Sequence, residues 1–148
     1  MGLDLIQAGF ALALLLCIGY ASTAGGQTGR IGSAIFVTAT GLTKLATLSD
    51  ATWASTSYAV LAIDAGCLLA LALLAIHSNR FWPIWAVGFQ TVAVATHLAT
   101  MWVPNLLPKA YQGLLAFWSI PILWVMVAGT RKDWNYQQAD SRRATGPA

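Results

Sequence analysis

Long apolar stretches, separated by short polar connections, are the feature that most limits what this chain can fold into. Five of them cover about residues 3–21, 31–48, 56–77, 81–102 and 109–129. Each is close to the roughly 20 residues that an α-helix needs to cross the ~30 Å hydrocarbon core of a bilayer. The pattern predicts an all-α fold, a polytopic transmembrane helix bundle with five spans.

The composition agrees with a membrane protein. Of the 148 residues, 57% are hydrophobic and 9% are charged, with a mean hydropathy of +0.65. An ordinary soluble domain carries about 25% charged residues, and a water-soluble fold of this length cannot hide so much apolar surface. We therefore expect the bilayer and other integral membrane proteins, or further copies of this chain, as partners. The net charge of +3 is not gathered into one patch, which argues against a nucleic-acid partner.

The second stretch is the least apolar of the five. It contains Lys44 and four threonines within residues 31–48. If this stretch lies at the membrane interface instead of crossing, the bundle has four spans. The two arrangements differ in topology, because four spans place the N-terminus inside.

Basic residues favour five spans with the N-terminus outside and the C-terminus in the cytoplasm. In that arrangement the cytoplasmic side holds Arg30, Arg80, Arg131, Lys132, Arg142 and Arg143. Among the outer connections only the one before the fifth span carries a basic residue, Lys109. Such asymmetry is typical of multi-pass proteins of the bacterial inner membrane. Residues 1–129 then form the membrane domain, and residues 130–148 form a polar cytoplasmic tail whose first part is predicted to lie along the headgroups.

Ionisable residues inside the apolar stretches are the candidate functional residues. Lys44, Asp64 and His97 each lie ~6–12 Å below the outer boundary at 1.5 Å per helical residue, so three different helices place them in one layer. A charged group in hydrocarbon is costly and usually has a partner or a task. Gln90 is seven residues from His97 and shares its helix face, and Gln112 lies in the outer part of the fifth span. These five residues form the predicted buried polar cluster.

Within this cluster we expect Asp64 to pair with Lys44, with His97 or a water nearby. Such a pair can simply hold two helices in register. The competing interpretation is a proton relay, because histidine titrates near physiological pH. The inner half of the bundle offers few polar groups, which favours packing over a continuous conduction path.

The third span carries a ridge of small residues, Ala62, Gly66 and Ala70. Small residues at this spacing allow helices to approach closely. Asp64 lies on a different side of the same helix. We therefore expect protein, not lipid, to cover both sides of this span.

Tryptophans near the ends of the predicted spans indicate membrane anchors. Trp53 and Trp102 fall near the outer interface, and Trp82, Trp85 and Trp134 fall near the inner one. Tryptophan is enriched at both interfaces of membrane proteins, where its amphipathic ring meets the headgroups.

No catalytic, nucleotide-binding or metal-binding motif is present in the sequence. Cys17 and Cys67 are isolated within apolar stretches, as packing residues are. His77 and His97 fall near opposite membrane faces and are too far apart to hold one haem. We predict no cofactor and no metal; pigment or haem ligation by His97 is a less favoured alternative, since a histidine in a helix bundle is more often a hydrogen-bonding residue.

The second half of the chain, about residues 64–131, contains a characteristic set of short segments. They are Arg80-Phe81-Trp82-Pro83-Ile84-Trp85, Gly88-Phe89-Gln90, Ala95-Thr96-His97, Pro108-Lys109-Ala110-Tyr111 and Ala116-Phe117-Trp118-Ser119. This pattern resembles small uncharacterised integral membrane proteins of alphaproteobacteria, particularly of the sphingomonad type. The resemblance implies an inner-membrane location and no mechanism.

Three functional hypotheses follow. The leading one is a non-catalytic subunit, or an assembly or stabilising factor, of a larger inner-membrane complex, because the chain has little mass outside the predicted spans and no catalytic set. The second is a small proton-coupled transporter or channel-like protein that uses Asp64, Lys44 and His97. The third is a membrane enzyme acting from the outer side, with His97 as its base.

Overall fold

The computed structural model describes residues 2–49, 58–102 and 108–144, and all regular structure in these ranges is α-helical. The helices are α1 (Gly2–Ala24), α2 (Gly26–Ser49), α3 (Tyr58–His77), α4 (Trp82–Trp102) and α5 (Pro108–Ala144). Five helices at these places agree with the all-α prediction. Trp53 and residues 145–148 lie outside the described residues.

The helices form a closed ring. Each helix packs against its neighbours in sequence, and α5 also packs against α1. Short connections make successive helices antiparallel, so α1 and α5, whose contact closes the ring, are parallel to each other. Its interior is filled by Leu14, Ala21, Phe36, Cys67, Leu71, Leu74, Trp82, Ala86, Ile122, Leu123 and Met126.

The connection between α1 and α2 is much tighter than predicted. Residues 22–30, between the first two predicted spans, contain three glycines and by composition favour a loop, yet α1 continues to Ala24 and α2 begins at Gly26. Gly26 makes the reversal with a φ of 58°, a left-handed conformation that is costly for other L-residues. A Cβ at Gly29 would overlap the carbonyl oxygen of Ala21. The glycines therefore serve a close helix–helix contact as well as a turn.

Trp82 is buried, which corrects its predicted role as a membrane anchor. Its side chain is 3% exposed. A Cβ on Gly32 of α2 would come within 2.5 Å of the Trp82 ring, and a Cβ on Gly129 of α5 would overlap the base of the same side chain. Trp82 thus fills a space that two glycines leave open. Its neighbour Pro83 lies in the first turn of α4, where a missing N–H costs no helical hydrogen bond.

Helix α5 is longer than the predicted fifth span. It continues through Pro121 and past Gly129 to Ala144, for 37 residues, or roughly 55 Å at 1.5 Å per residue. Residues 130–144 are therefore a helical extension of α5, and the contact of this segment with the headgroups stays a prediction. Asp133 Oδ1 lies 3.1 Å from Arg80 Nη1 of the α3–α4 turn, and this ion pair attaches the extension to the ring.

Large apolar side chains face outward on every helix, including Leu15, Val37, Leu69, Trp85 and Trp124. By length and composition alone, one helix within the described ranges, α3, is long and apolar enough to cross a membrane. A shorter apolar stretch covers Ala11–Ala24.

The small-residue ridge of α3 differs from its prediction. Ala62 and Gly66 are exposed, and a Cβ added at Gly66 would meet nothing within 4 Å. Within one chain, therefore, this ridge does not pack against another helix. The helix contacts of α3 use the faces that hold Asp64, Cys67 and Leu71 instead.

Candidate functional site

The antiparallel arrangement of α3 and α4 brings Asp64 and His97 to the same level of the ring. Asp64 lies near the start of α3 and His97 near the end of α4. Asp64 Oδ2 is 2.7 Å from His97 Nε2, so the imidazole N–H donates to the carboxylate in a short, charge-assisted hydrogen bond.

Gln90, two turns before His97 on α4, also binds Asp64. Its Nε2 donates to Asp64 Oδ1 at 3.2 Å and to the backbone carbonyl oxygen of Asp64 at 3.3 Å. The seven-residue spacing of Gln90 and His97 places both side chains on the α4 face that meets α3. One carboxylate is thus bound by two side chains of the neighbouring helix.

This cluster lies in an apolar environment. The His97 side chain is 3% exposed and that of Asp64 is 23% exposed. Cys67 and Ala93 are buried one turn from Asp64 and His97, respectively. In such surroundings a hydrogen bond is stronger than in water, and an unpaired polar group costs more. The contacts of Asp64, Gln90 and His97 therefore bind α3 to α4 in a fixed register.

Lys44 is not part of this contact. The sequence predicted it as the partner of Asp64, whereas the structure gives Asp64 the partners His97 and Gln90. Lys44 lies in the last two turns of α2 and is exposed. The predicted pairing of Lys44 with Asp64 is therefore wrong.

The other predicted site residues divide into two groups. Trp85 and Trp134 are exposed, as a membrane anchor requires. The side chains of Trp102 and Gln112 lie outside the described part of the structure, although both residues belong to helices.

Between Gln90 and the α3–α4 turn, the described interior of the ring is mainly apolar, and its buried polar side chains are Ser33 and Thr130, which lie near the α1–α2 junction. Going towards the α3–α4 turn, it contains Leu71, Leu74, Ala86 and Met126. The described side chains therefore offer no chain of polar groups from the Asp64–His97 pair to that end. Nor do they include a group of three or more His, Cys, Asp or Glu residues able to hold a metal ion.

Sequence reasoning did not find the contacts at the opposite end of the ring. Thr130 is fully buried, and its Oγ1 is 3.2 Å from the Cβ position of Gly25. Together, the contact of Thr130 with Gly25 and the contacts of Trp82 with Gly32 and Gly129 join α1, α2, α4 and α5. Trp82 stands at the start of α4, and the glycines that leave room for it belong to α2 and α5. A single sequence does not show which glycine packs against which tryptophan, so these contacts could not be predicted.

Comparison of the chain with protein families, with curated proteins and with solved structures found no match. Function is therefore inferred here from the chemistry and placement of the residues.

Proposed function

We propose that this protein is a five-span integral membrane protein of the bacterial inner membrane and serves as a non-catalytic subunit, or an assembly or stabilising factor, of a larger membrane complex. The observation that carries the proposal is the distribution of polarity in the ring. Large apolar side chains cover the outer faces of the helices, while the partly buried Asp64 binds the buried His97 and Gln90 of α4. Such a surface needs lipid or protein around it.

The basic residues support the orientation. Contacts between Thr130 and Gly25 and between Asp133 and Arg80 bring the α1–α2 junction, the α3–α4 turn and α5 to one end of the ring. We name this the basic end, because Arg30, Arg80 and Arg131 lie there. The positive-inside rule assigns it to the cytoplasm. The N-terminus of α1 lies at the other end, which is then outside.

In this proposal the Asp64–His97–Gln90 contact is an interhelical lock. Polar contacts between membrane helices contribute about 0.6–2 kcal/mol each, enough to set the register of α3 and α4. His97 has 3% of its side chain exposed and its Nε2 is bound to Asp64. That geometry gives no support to an outer-side enzyme that uses His97 as a base, because a base must reach its substrate.

The test is purification of the tagged chain in a mild detergent, followed by native mass spectrometry and identification of co-purifying proteins. We expect a defined complex with at least one other integral membrane protein in constant ratio. A matched control is the same purification after treatment with a harsher detergent, which should release the chain. Recovery of a lone monomer under mild conditions contradicts the proposal.

A proton-coupled carrier is a second candidate, favoured by the 2.7 Å contact between Asp64 and His97. A buried carboxylate–imidazole pair can take up a proton. For a carrier, Asp64→Asn and His97→Ala should abolish substrate-driven proton movement in proteoliposomes while leaving the fold intact. If the variants instead lose their fold and no proton movement depends on the pair, the pair is a structural lock.

A further inference from the structure

One face of α5 is exposed from Trp124 onward, and beyond Asp133 the other described side chains of the helix are exposed as well. The exposed residues Trp124, Ala128, Arg131, Asn135, Gln138 and Arg142 follow one another at spacings of four, three, four, three and four. We name this face the α5 stripe. Alternating spacings of this kind place side chains along one line of a helix, where a second helix can pack beside it.

The ring-facing side of α5 is different. Leu123, Met126 and Thr130 are buried, and Asp133 pairs with Arg80. The α5 stripe therefore lies opposite the contacts that hold α5 in the ring. Shallow open depressions lie between the side chains of α5 itself along this face, first between Trp124 and Asn135 and then between Asn135 and Arg142.

The stripe crosses the basic end of the ring without interruption. Gly129 and Asp133 mark that level, because they contact Trp82 and Arg80. On one side of it, Trp124 and Ala128 suit an apolar environment. On the other side α5 continues from Asp133 to Ala144, about 16 Å further at 1.5 Å per residue.

The charge of the stripe selects its partner. Arg131, Lys132 and Arg142 are exposed on or beside it, whereas Asp133 faces Arg80. A second copy packed in parallel through the same stripe would bring Arg131 against Arg131, and like charges in contact disfavour association. An acidic segment is the complementary surface.

A lipid surface fits the stripe less well. The helix continues beyond the basic end, and Arg142 lies about 14 Å past Asp133 along the helix. Electrostatic attraction to anionic headgroups is screened within about 8 Å at physiological ionic strength. Headgroups could therefore attract Arg131 and Lys132 but not the outer half of the stripe.

We propose that the α5 stripe docks a helix of a partner membrane protein, one that is apolar up to the level of Ala128 and acidic beyond it. This inference rests on the proposed role as a subunit of a membrane complex and assigns that role a surface and a partner chemistry. Trp124 and Ala128 would contact the apolar part of the partner, and Arg131 and Arg142 would pair with its carboxylates.

The experiment is site-specific photo-crosslinking in intact cells. A benzoylphenylalanine residue replaces Asn135 or Gln138 on the stripe, or Gln137 as a matched control that is also exposed and lies off it. We expect crosslinks at Asn135 and Gln138 to be at least several-fold stronger than at Gln137. The crosslinked peptide, identified by mass spectrometry, should be rich in Asp and Glu and directly follow an apolar segment.

Charge reversal provides the second arm. Arg131→Glu should reduce crosslinking at Asn135 by about tenfold, since it places like charges together. Arg143→Glu makes the same change of charge off the stripe and should leave crosslinking at Asn135 within about twofold of the unchanged chain, as an exposed charge away from the contact does.

Several outcomes overturn the inference. They are equal crosslinking at Gln137 and Asn135, crosslinks to phospholipid, crosslinks to a second copy of this chain, or insensitivity to Arg131→Glu. If a co-purifying protein crosslinks through other faces only, this inference fails and the proposed function stands. If no protein co-purifies in mild detergent, both fail.

Discussion

At the scale of single residues, the contact between Asp64 and His97 should lower the free energy of unfolding most when only one of the two partners is replaced. A buried charge that loses its partner destabilises a protein by about 3–5 kcal/mol, whereas replacing both partners by apolar groups of similar volume is often neutral. Gln90 keeps one acceptor when the Asp64 carboxylate is removed, because it also binds the Asp64 backbone carbonyl oxygen.

We predict that His97→Leu lowers the free energy of unfolding by about 2–4 kcal/mol. The single change leaves the Asp64 carboxylate without its imidazole donor. The double variant Asp64→Leu/His97→Leu should recover to within about 1 kcal/mol of the unchanged chain, because it leaves no charge without a partner. Unfolding by SDS in mixed micelles, followed by circular dichroism, measures both. A double variant less stable than His97→Leu would contradict this account.

The space around Trp82 gives a second prediction. A Cβ at Gly32 would meet the far end of the Trp82 ring, and overpacking of this kind costs about 1–3 kcal/mol. Gly32→Ala should therefore destabilise the chain, and its cost should be largely relieved in a Trp82→Leu background, where the ring is absent. The same SDS titration provides the measurement.

Gly41→Ala is the matched control, since a Cβ at Gly41 meets nothing within 4 Å. It should be neutral or slightly stabilising, as alanine is in a helix. Gly129→Ala should not be relieved by Trp82→Leu, because there the overlap is with the base of the side chain. Equal effects of Gly32→Ala in both backgrounds would show that Trp82 does not occupy this space.

Residue levels along the helices could be predicted from the sequence, but directions around them could not. Counting from the helix ends predicts Asp64 and His97 in one layer, and their 2.7 Å contact confirms it. The spans are apolar on all sides, so periodicity does not indicate which face turns inward. For this reason the sequence predicts Lys44 as the partner of Asp64 and Trp82 as a lipid-facing anchor, whereas the structure gives Asp64 the partners His97 and Gln90 and buries Trp82.

At the scale of helices, the α1–α2 hairpin depends on the backbone of Gly26. Its φ of 58° lies in the left-handed region, and a Cβ there meets no other atom within 4 Å. We predict that Gly26→Ala lowers the free energy of unfolding by about 1–2 kcal/mol, the cost of this conformation for an L-residue. Gly26→Asn should cost less, because asparagine tolerates it better. Unfolding by SDS measures the stability of both variants. Equal losses of stability for Gly26→Ala and Gly26→Asn would show that the turn has adopted another backbone conformation.

Among the described residues, the partly exposed ion pair of Arg80 and Asp133 attaches the extension of α5 to the ring. The ion pair of Arg80 and Asp133 should contribute less than about 1 kcal/mol to global stability, as surface pairs do. Its local effect is larger, because a short helix with few tertiary contacts is marginal in water. We predict that Asp133→Asn raises hydrogen exchange in residues 134–144 several-fold and leaves α3 unchanged.

Arg80→Gln should raise exchange in the extension to the same degree, and the double variant should add nothing further, because both single changes remove the same contact. Mass spectrometry of deuterated peptides in detergent measures the exchange. Additive effects would mean that Arg80 and Asp133 act separately.

The number and order of the helices followed from the apolar stretches, but two of their ends did not. Three glycines within residues 25–29 indicate a loop by composition. In the structure two of them instead let α2 approach the Ala21 carbonyl group of α1. The end of α5 was predicted where the apolar residues stop, at Gly129. Helical hydrogen bonding does not require apolar side chains, and the extension is continuous with a helix that is already formed, so no new nucleation is needed.

At the scale of the whole molecule, the ring combines a polar lock near one end with glycine contacts at the other. The lock joins α3 to α4, while Thr130, Trp82 and their glycine neighbours join the remaining helices at the basic end. Antiparallel neighbours then place every basic turn on one side. The proposed topology follows from having the basic turns on one side of the ring, and labelling experiments can measure it directly.

We predict that the basic end faces the cytoplasm in all of its turns. In a background of Cys17→Ala and Cys67→Ala, cysteines at Gln27 and Asn79 should resist a membrane-impermeant maleimide added to spheroplasts and react after permeabilisation. Ser55→Cys, in the connection between α2 and α3, is the positive control and should react from outside. Gln27 separates the two arrangements, because four spans would place it outside while Asn79 stays inside. Labelling of Gln27→Cys in intact spheroplasts would therefore overturn the five-span topology.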